Sequence, residues 1–224
     1  YYAAQGYATS MGTIPAQDLS TGTLIIRMLW GKLSGFLING QPPQGWYEHA
    51  MLVGAMPGIE GSIFNIHISD QIVENLNTAG KSVQVEVVPA QEQGYSYLNL
   101  KVVRRLPVSG SLSIDNSGSE RADGNTRASA QVTISDVLGV NDSLNLNTSK
   151  RFFNRRTDEN AEHVNGGSWN IPIGYWSLGA SYSNIQSQQL LQTVHGGDYH
   201  NASSIKDAKL KLNRVLTRDQ SGKT

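Results

Sequence analysis

The chain has 224 residues, with 18 basic and 18 acidic side chains, a formal net charge of zero and no cysteine. The even charge balance argues against a nucleic-acid partner, and the lack of cysteine excludes both a disulfide framework and a thiolate metal site. No apolar run approaches the roughly eighteen residues of a membrane-spanning helix. Transmembrane β-strands are shorter and only half apolar, so a membrane protein built from strands is still possible.

Residues 1–31 predict part of a domain. The opening YYAAQG is typical of the end of a helix capped by Gly6, and two extended runs follow, joined by a turn near Ser20. Tyr1 follows no initiator Met or signal peptide, and the last residues, RVLTRDQSGKT, look like the middle of a hairpin. We therefore expect an internal piece of a longer protein.

Residues 32–107 predict a complete α+β module. The expected elements, in order, are a strand, two helices and two strands: 32–40, 46–56, 69–79, 82–90 and 97–105. The apolar stripes of the helices are Trp46, Ala50, Val53 and Ala55 or Met56 in the first, and Ile72, Val73, Leu76 and Ala79 in the second. Asp70 is expected near the amino terminus of the second helix. This order predicts both helices on one face of a three-stranded sheet.

From Val108 onward the sequence alternates between apolar and polar residues, which predicts strands with one face of each kind. Six strands are expected, over residues 108–116, 127–135, 143–153, 168–173, 176–184 and 205–216. Their connections alternate between long (117–126, 154–167 and 185–204) and short (136–142, 174–175 and 219–223). Such alternation is typical of bacterial outer-membrane barrels, whereas a soluble β-sandwich does not need it.

Several motifs then resemble the two-partner secretion transporters of the haemolysin secretion/activation family. The run GSLSIDNSGSERADGNTRASAQVTISDVLGVNDSLNLNTSKR (110–151) is similar to the family's first barrel hairpins, and it includes the DNSG segment at 115–118. The turn 136–142 matches the family's N-x-LG-x-(N/S)-D pattern except that Asp136 replaces the first Asn. Residues 168–183 and 212–224 resemble the next hairpin and the end of the sixth strand, and residues 6–40 the junction of two POTRA domains.

The resemblance implies a fold of α+β POTRA modules followed by antiparallel transmembrane strands, six of them here from a barrel of about sixteen. Residues 1–31 would end a first POTRA domain, 32–107 form the second, and 108–224 start an incomplete barrel. The implied function is export of a large secreted partner protein, recognised through its amino-terminal secretion domain. The barrel would contact lipid in the bacterial outer membrane, with the POTRA domains in the periplasm and no cofactor.

Candidate contact residues follow from these expectations. We expect residues 82–88 to form an exposed edge strand to which an extended substrate could add, beside a groove at Ile72 and Leu76. Gln84 and Glu86 are the better candidates for contact, since Val83, Val85 and Val87 could equally pack the module's own core. The residues expected to line the pore are Arg127, Gln131, Asn145, Arg151, Lys209 and Lys211. These basic residues could instead only face water or pair with acidic neighbours.

The sequence also allows other sites and other functions to be considered. A metal site at His195, Asp198 and His200 is a weak possibility, and His163 with Asp158, Glu159 and Glu162 is better interpreted as a solvated loop. No phosphate-binding loop or Ser/His/Asp spacing suggests an enzyme. The alternatives to export are an outer-membrane assembly factor and a soluble β-rich adhesion or carbohydrate-binding domain.

Overall fold

The computed structural model describes residues 2–20, 22–116, 126–152, 161–192, 196–219 and 222–223. The chain begins with a short 3₁₀-helix, Ala3–Gln5, and Gly6 ends it in the left-handed conformation (φ 89°) with its N–H donating to the carbonyl of Ala3. The predicted glycine cap is thus confirmed. Strands β1 (Met11–Thr13) and β2 (Arg27–Leu29) then pair antiparallel, and both are shorter than the predicted extended runs.

The α+β module follows the predicted element order. Its elements are β3 (Lys32–Ile38), α1 (Gly45–Ala55), α2 (Ile66–Leu76), β4 (Lys81–Pro89) and β5 (Tyr95–Arg104). The sheet order is β3-β5-β4, with β3 parallel and β4 antiparallel to the central β5. All the hydrophobic residues that are buried in the described chain form one cluster within this module: Leu33, Ile38, Met51, Ala55, Met56, Ile59, Phe64, Ile72, Leu76, Val83, Leu98 and Leu100.

Helix α2 begins at Ile66, three residues earlier than predicted. The side chain of Asn65 accepts a hydrogen bond from the N–H of His67 at 3.0 Å, and Asn is among the residues that best cap a helix start. Asp70 therefore lies past the first turn, beside His67, instead of at the helix start. Asn65 lies outside the apolar stripe from which the helix was predicted, so the stripe gave no indication of the cap.

The predicted apolar stripe of helix α1 is correct at Ala55 and Met56, which are buried, and wrong at Trp46 and Val53. Trp46 is 75% exposed and Val53 49% exposed, whereas Met51, Gly54 and Ala55 are buried. Met51 and Ala55 belong to the module's core, and Gly54 lies against a loop from a different part of the chain. Because this helix is covered from two sides, its buried residues do not follow a single stripe.

The second region is a six-stranded antiparallel sheet, as predicted. Its strands are β6 (Val108–Asp115), β7 (Thr126–Ser135), β8 (Ser143–Phe152), β9 (Ala161–Ile173), β10 (Trp176–Gln192) and β11 (Asp198–Arg214), each paired with the next in sequence. A last pair, β12 (Arg218–Asp219) and β13 (Gly222–Lys223), follows. In the described ranges, no helix has the length and apolar character needed to cross a membrane.

Strands β9, β10 and β11 are longer than predicted, so the expected long loop 185–204 is wrong over most of its length, as is the described part of the loop 154–167. Residues 154–160, and residues 117–125 of the first expected long loop, lie outside the described residues. Residues 161–167 belong to β9, and continuous pairing joins β10 and β11 from Ile185 opposite Ile205 to Gln192 opposite Asp198. Strict alternation of polarity is lost there, as in Gln188-Gln189 and Leu190-Leu191. Backbone pairing needs no such alternation, and a pattern-based prediction therefore ends these strands too early.

Candidate functional site

One face of the six-stranded sheet is polar and contains all the residues predicted to line a pore. Residues directly opposite each other in an antiparallel pair point to the same side of the sheet. The pairings between neighbouring strands therefore show that the predicted residues share one face. Between β7 and β8, Arg127 lies opposite Arg151 and Gln131 opposite Asn147. From β8 to β11, the pairs are Asn145 with Ser168, Ser168 with Ser181, Ser181 with Lys209, and Gly179 with Lys211. That this face lines a pore remains a prediction.

Acidic residues neutralise much of the positive charge on this polar face. Glu162 bridges two strands: one of its oxygens lies 2.6 Å from Arg127 Nη2 and the other 3.0 Å from Arg151 Nε. Lys209 Nζ lies 2.5 Å from a carboxylate oxygen of Asp207 on the same strand. The interpretation of Glu162 as a loop residue is wrong, because Glu162 lies on β9 with its carboxylate between two arginines.

The opposite face of the sheet is apolar and exposed. Leu112 is 87% exposed, Ile114 78% and Leu210 82%, whereas the module buries side chains of the same kind completely. Such a large exposed apolar surface indicates contact with a partner or a lipid phase.

Among the described residues, strand β4 pairs with β5 alone and therefore forms a free edge of the module's sheet. The N–H of Val83 points away from β5, because it donates to the side-chain oxygen of Asn77 at 2.7 Å. In an antiparallel pair every second residue has the same orientation, so the N–H groups of Val85 and Val87 also face the open edge. Asn77 therefore occupies the start of the β4 edge, whereas the N–H groups of Val85 and Val87 further along face the open side.

The side chains predicted for substrate contact fall into two environments. Gln84 and Glu86 are exposed, and Glu86 lies 3.0 Å from Lys101 Nζ. The hydrogen bond and charge of Lys101 lower the pKa of Glu86. Ile72 and Leu76 have no exposed surface and belong to the core, so they support the module rather than offering an open groove.

The module and the sheet meet at a junction built around a buried lysine. Lys81, at the start of β4, is 2% exposed, and its Nζ lies 2.8 Å from a carboxylate oxygen of Asp136 in the β7–β8 turn. It also donates a hydrogen bond to the side chain of Asn141 in the same turn. The hydroxyl of Tyr47 in α1 donates to Asp136 at 3.2 Å. Burial lowers the pKa of Lys81, and the hydrogen bond with Asp136 opposes that shift.

Close backbone contacts complete the junction. A Cβ atom on Gly54 would lie 2.2 Å from the carbonyl oxygen of Val140, so only glycine allows α1 to approach the turn this closely. The side chain of Asn141 donates to the carbonyl of Met51 at 2.8 Å. At a second contact, Asn75 in α2 donates to the carbonyl oxygens of Ala55 and Gly174 at 2.9 and 2.6 Å. Two turns of the sheet are thus hydrogen-bonded to both helices of the module.

Sequence reasoning missed this junction. Lys81 stands in an ordinary strand pattern, and nothing local shows that it is buried. One weak indication in the sequence is Asp136, which replaces the first Asn of the family's turn pattern. This residue supplies the carboxylate that faces Lys81.

The weak metal hypothesis gains no support from the geometry. His195, Asp158 and Glu159 lie outside the described residues, and Asp198 and His200 lie on β11. Within the described part of the chain, no group of three or more His, Cys, Asp or Glu side chains could hold a metal ion.

A sheet with one polar and one exposed apolar face, joined through its short turns to a small α+β module, defines the class of outer-membrane transporters that carry POTRA domains. The family model of the haemolysin secretion/activation proteins ShlB/FhaC/HecB matches residues 94–224, and that of the ShlB-type POTRA domain matches residues 1–31. The chain belongs to the ShlB/FhaC/HecB family of haemolysin secretion/activation proteins. Members of this family are protein transporters rather than enzymes; they lie in the outer membrane and have their POTRA domains in the periplasm.

Individual relatives agree with this assignment. The outer membrane transporter CdiB of Dickeya dadantii is 31% identical over 100% of the chain, which spans 38% of that protein. Among solved structures, CdiB from Escherichia coli is similar with a TM-score of 0.83 and 26% identity, over 97% of this chain and 39% of that one. CdiB from Acinetobacter baumannii gives a TM-score of 0.74 and 28% identity, over 96% and 40%. The soluble adhesion alternative is therefore wrong, and the family match favours export over barrel assembly.

Proposed function

We propose that the protein containing this chain exports a large partner protein, of the haemolysin, adhesin or contact-dependent toxin type, across the bacterial outer membrane by two-partner secretion. The observation that carries the proposal is the free edge of β4 in a module hydrogen-bonded to a sheet with one polar face. Residues 32–107 act as the second POTRA domain and residues 108–224 as the first strands of the barrel.

Capture of the partner occurs at the edge of β4. The outward N–H groups of Val85 and Val87 hydrogen-bond to an extended segment of the partner's amino-terminal secretion domain, and backbone pairing of this kind accepts varied sequences. Gln84 and Glu86 are exposed on the same strand and contact the side chains of that segment.

Passage follows the polar face of the sheet. Because Glu162 lies between Arg127 and Arg151 and offsets one of their two positive charges, the wall presents hydrogen-bonding groups with a reduced positive field. Gln131, Asn145, Lys209 and Lys211 continue this hydrated surface. A polar wall of this kind lets an unfolded chain slide without strong charge attraction at any one point.

The apolar face contacts outer-membrane lipid. Leu112, Ile114 and Leu210 lie on this face and are mostly exposed, and lipid contact removes their surfaces from water.

The edge hypothesis is tested by replacing Val87 with Pro in the full-length transporter. Val87 is 37% exposed, and Pro removes an N–H that faces the open edge without removing a hydrogen bond to β5. We expect secretion of the partner into the medium to fall strongly in V87P while the amount of transporter in the outer membrane stays unchanged. V87A keeps the N–H and serves as the matched control.

Normal secretion by V87P would contradict capture at this edge. An equal loss in V87A would assign the effect to the side chain and would contradict backbone pairing as well.

A further inference from the structure

The structure contains a cavity of about 560 Å³ at the junction between the module and the polar face of the sheet. The module contributes α2 and the turn that leads into β4, including Asn77 and Thr78. The sheet contributes the polar-face residues next to its short turns, including Ser135, Asn170 and Asn213. The volume falls within the range of about 300–1,000 Å³ that is usual for ligand pockets.

The lining is rich in amides and poor in charge. Six amide side chains contribute to it: Gln71, Asn75, Asn77, Asn141, Asn170 and Asn213. Among the described lining residues the charged ones are Glu74 and Arg214, and the guanidinium of Arg214 lies over the ring of Trp176 at 5.0 Å. Asn75, Asn77 and Asn141 already make hydrogen bonds within the protein, whereas Asn170 and Asn213 lie on the polar face of the sheet. An amide offers both donors and acceptors, as the peptide backbone does, so this part of the lining matches an uncharged, extended polypeptide.

Two buried hydroxyl groups in the lining have hydrogen-bonding capacity to spare. Within the described part of the chain, Ser135 Oγ and Thr78 Oγ1 are buried without a hydrogen-bond partner, and Ser135 as a residue is 3% exposed. A buried hydroxyl without a partner costs free energy, which a ligand that supplies the hydrogen bond would recover. One of these groups comes from the module and the other from the sheet, so a ligand bonded to both would span the junction.

The cavity also lies where a captured strand would leave the module. Thr78 pairs with Lys81 at the start of β4, and Asn77 accepts a hydrogen bond from the N–H of Val83 on the same strand. A segment paired along the edge of β4 in the direction of Lys81 therefore arrives at the cavity. On the other side of the cavity, the lining residues Ser135 and Asn213 belong to the polar face of the sheet.

We propose that this cavity is a binding site for an uncharged, extended segment of the translocating partner, held between the edge of β4 and the polar face. The inference rests on the export function proposed above and adds a defined intermediate site with a preference for neutral polar sequence. A charged side chain would lose its water there and would meet, among the described lining residues, only Glu74 or Arg214 as a counter-ion, so charged segments bind more weakly.

The test uses cysteine cross-linking in the full-length transporter, since residues 1–224 contain no cysteine of their own. Single cysteines are placed at Thr78, at Ser135, at Gln84 on the β4 edge and at Val53 on the exposed side of α1. The probe is the amino-terminal part of the exported partner protein, with single cysteines in a Ser/Thr/Asn-rich stretch. A folded domain is fused to the carboxyl end of this probe so that export stalls with the probe inside the transporter. We expect disulfide adducts with the probe from T78C, S135C and Q84C, and none from V53C.

The outcomes separate this inference from the proposed function. Adducts from Q84C but from neither T78C nor S135C would overturn the cavity site and leave capture at the edge intact. Adducts from none of the three positions while export stalls normally would overturn both. A disulfide from S135C to another part of the transporter itself would show that the cavity is filled by the protein's own chain and would also overturn the inference. Adducts that disappear when the probe's neutral stretch is replaced by a Lys/Glu-rich one would support the stated preference.

Discussion

The module and the six-stranded sheet use the same apolar residue types for opposite purposes. In the module, Leu76 and Leu100 have no exposed surface and pack in one closed core, whereas Leu112 and Leu210 on the sheet are more than 80% exposed. The module therefore gains stability from its own packing, while the sheet presents its apolar residues to an outside medium. The difference shows that burial inside the chain cannot be expected from hydrophobicity alone in a protein of this family.

The largest mutational effect is expected at the junction, where a buried ion pair connects the module to the sheet. Replacing Lys81 with Ala leaves Asp136 buried without its cation, and loss of one partner of such a pair typically costs about 3–5 kcal/mol. We expect the free energy of unfolding of the module to fall by this order. The distance between spin labels on Gln84 and Leu112 should also become broadly distributed, which pulsed electron paramagnetic resonance would measure.

Lys101 offers the matched control for Lys81, because its ion pair with Glu86 lies on the same sheet and is exposed. K101A should leave the free energy of unfolding nearly unchanged and should not alter the label distance, because water screens an exposed ion pair. Equal effects of K81A and K101A would mean that the junction does not hold the two regions together.

A direct comparison of the two regions comes from truncating one leucine in each. Leu76→Ala creates a cavity in the closed core and should destabilise the module by about 2–5 kcal/mol. Leu112→Ala removes an exposed side chain and should change stability by no more than about 0.5 kcal/mol. Denaturant unfolding of the detergent-solubilised chain, followed by tryptophan fluorescence, measures both variants. A large loss in L112A would show that this face packs against another part of the protein instead of lipid.

The smallest expected effect concerns Glu86 and acid stability. Lys101 holds the pKa of Glu86 below its ordinary value of 4.5, so the folded state binds fewer protons there than the unfolded state. This stabilisation is present above pH 4.5 and is lost as the pH falls through the folded-state pKa. In Glu86→Gln, the stability of the module should therefore decrease slightly less as the pH falls through this acid range. Thermal unfolding at several pH values measures this change.

Lys101→Met provides the check for Glu86, because it removes the cause of the shift and should give the same flattening. A decline that is as steep in both variants as in the parent chain would contradict the assigned pair.

Some elements of this protein could be predicted from the sequence better than others. Period-two alternation correctly predicted the six strands, and it placed Arg127, Asn145 and Lys209 on one face, which the strand pairing confirms. Prediction failed where polarity stops alternating, as along β10 and β11, since backbone hydrogen bonds do not depend on side chains. In α1 it failed for another reason, namely that the helix is covered from two sides.

The sequence by itself determined the local elements, since alternation, helix-capping residues and turn residues act over a few neighbouring positions. The resemblance of its turn and hairpin motifs also identified the family. The tertiary structure alone decided which charges meet: Glu162 with two arginines, and Lys81 with Asp136, 55 positions further along the chain. Such pairs depend on how separate elements pack, and no local pattern encodes them, because the free energy of a buried charge depends on which groups surround it.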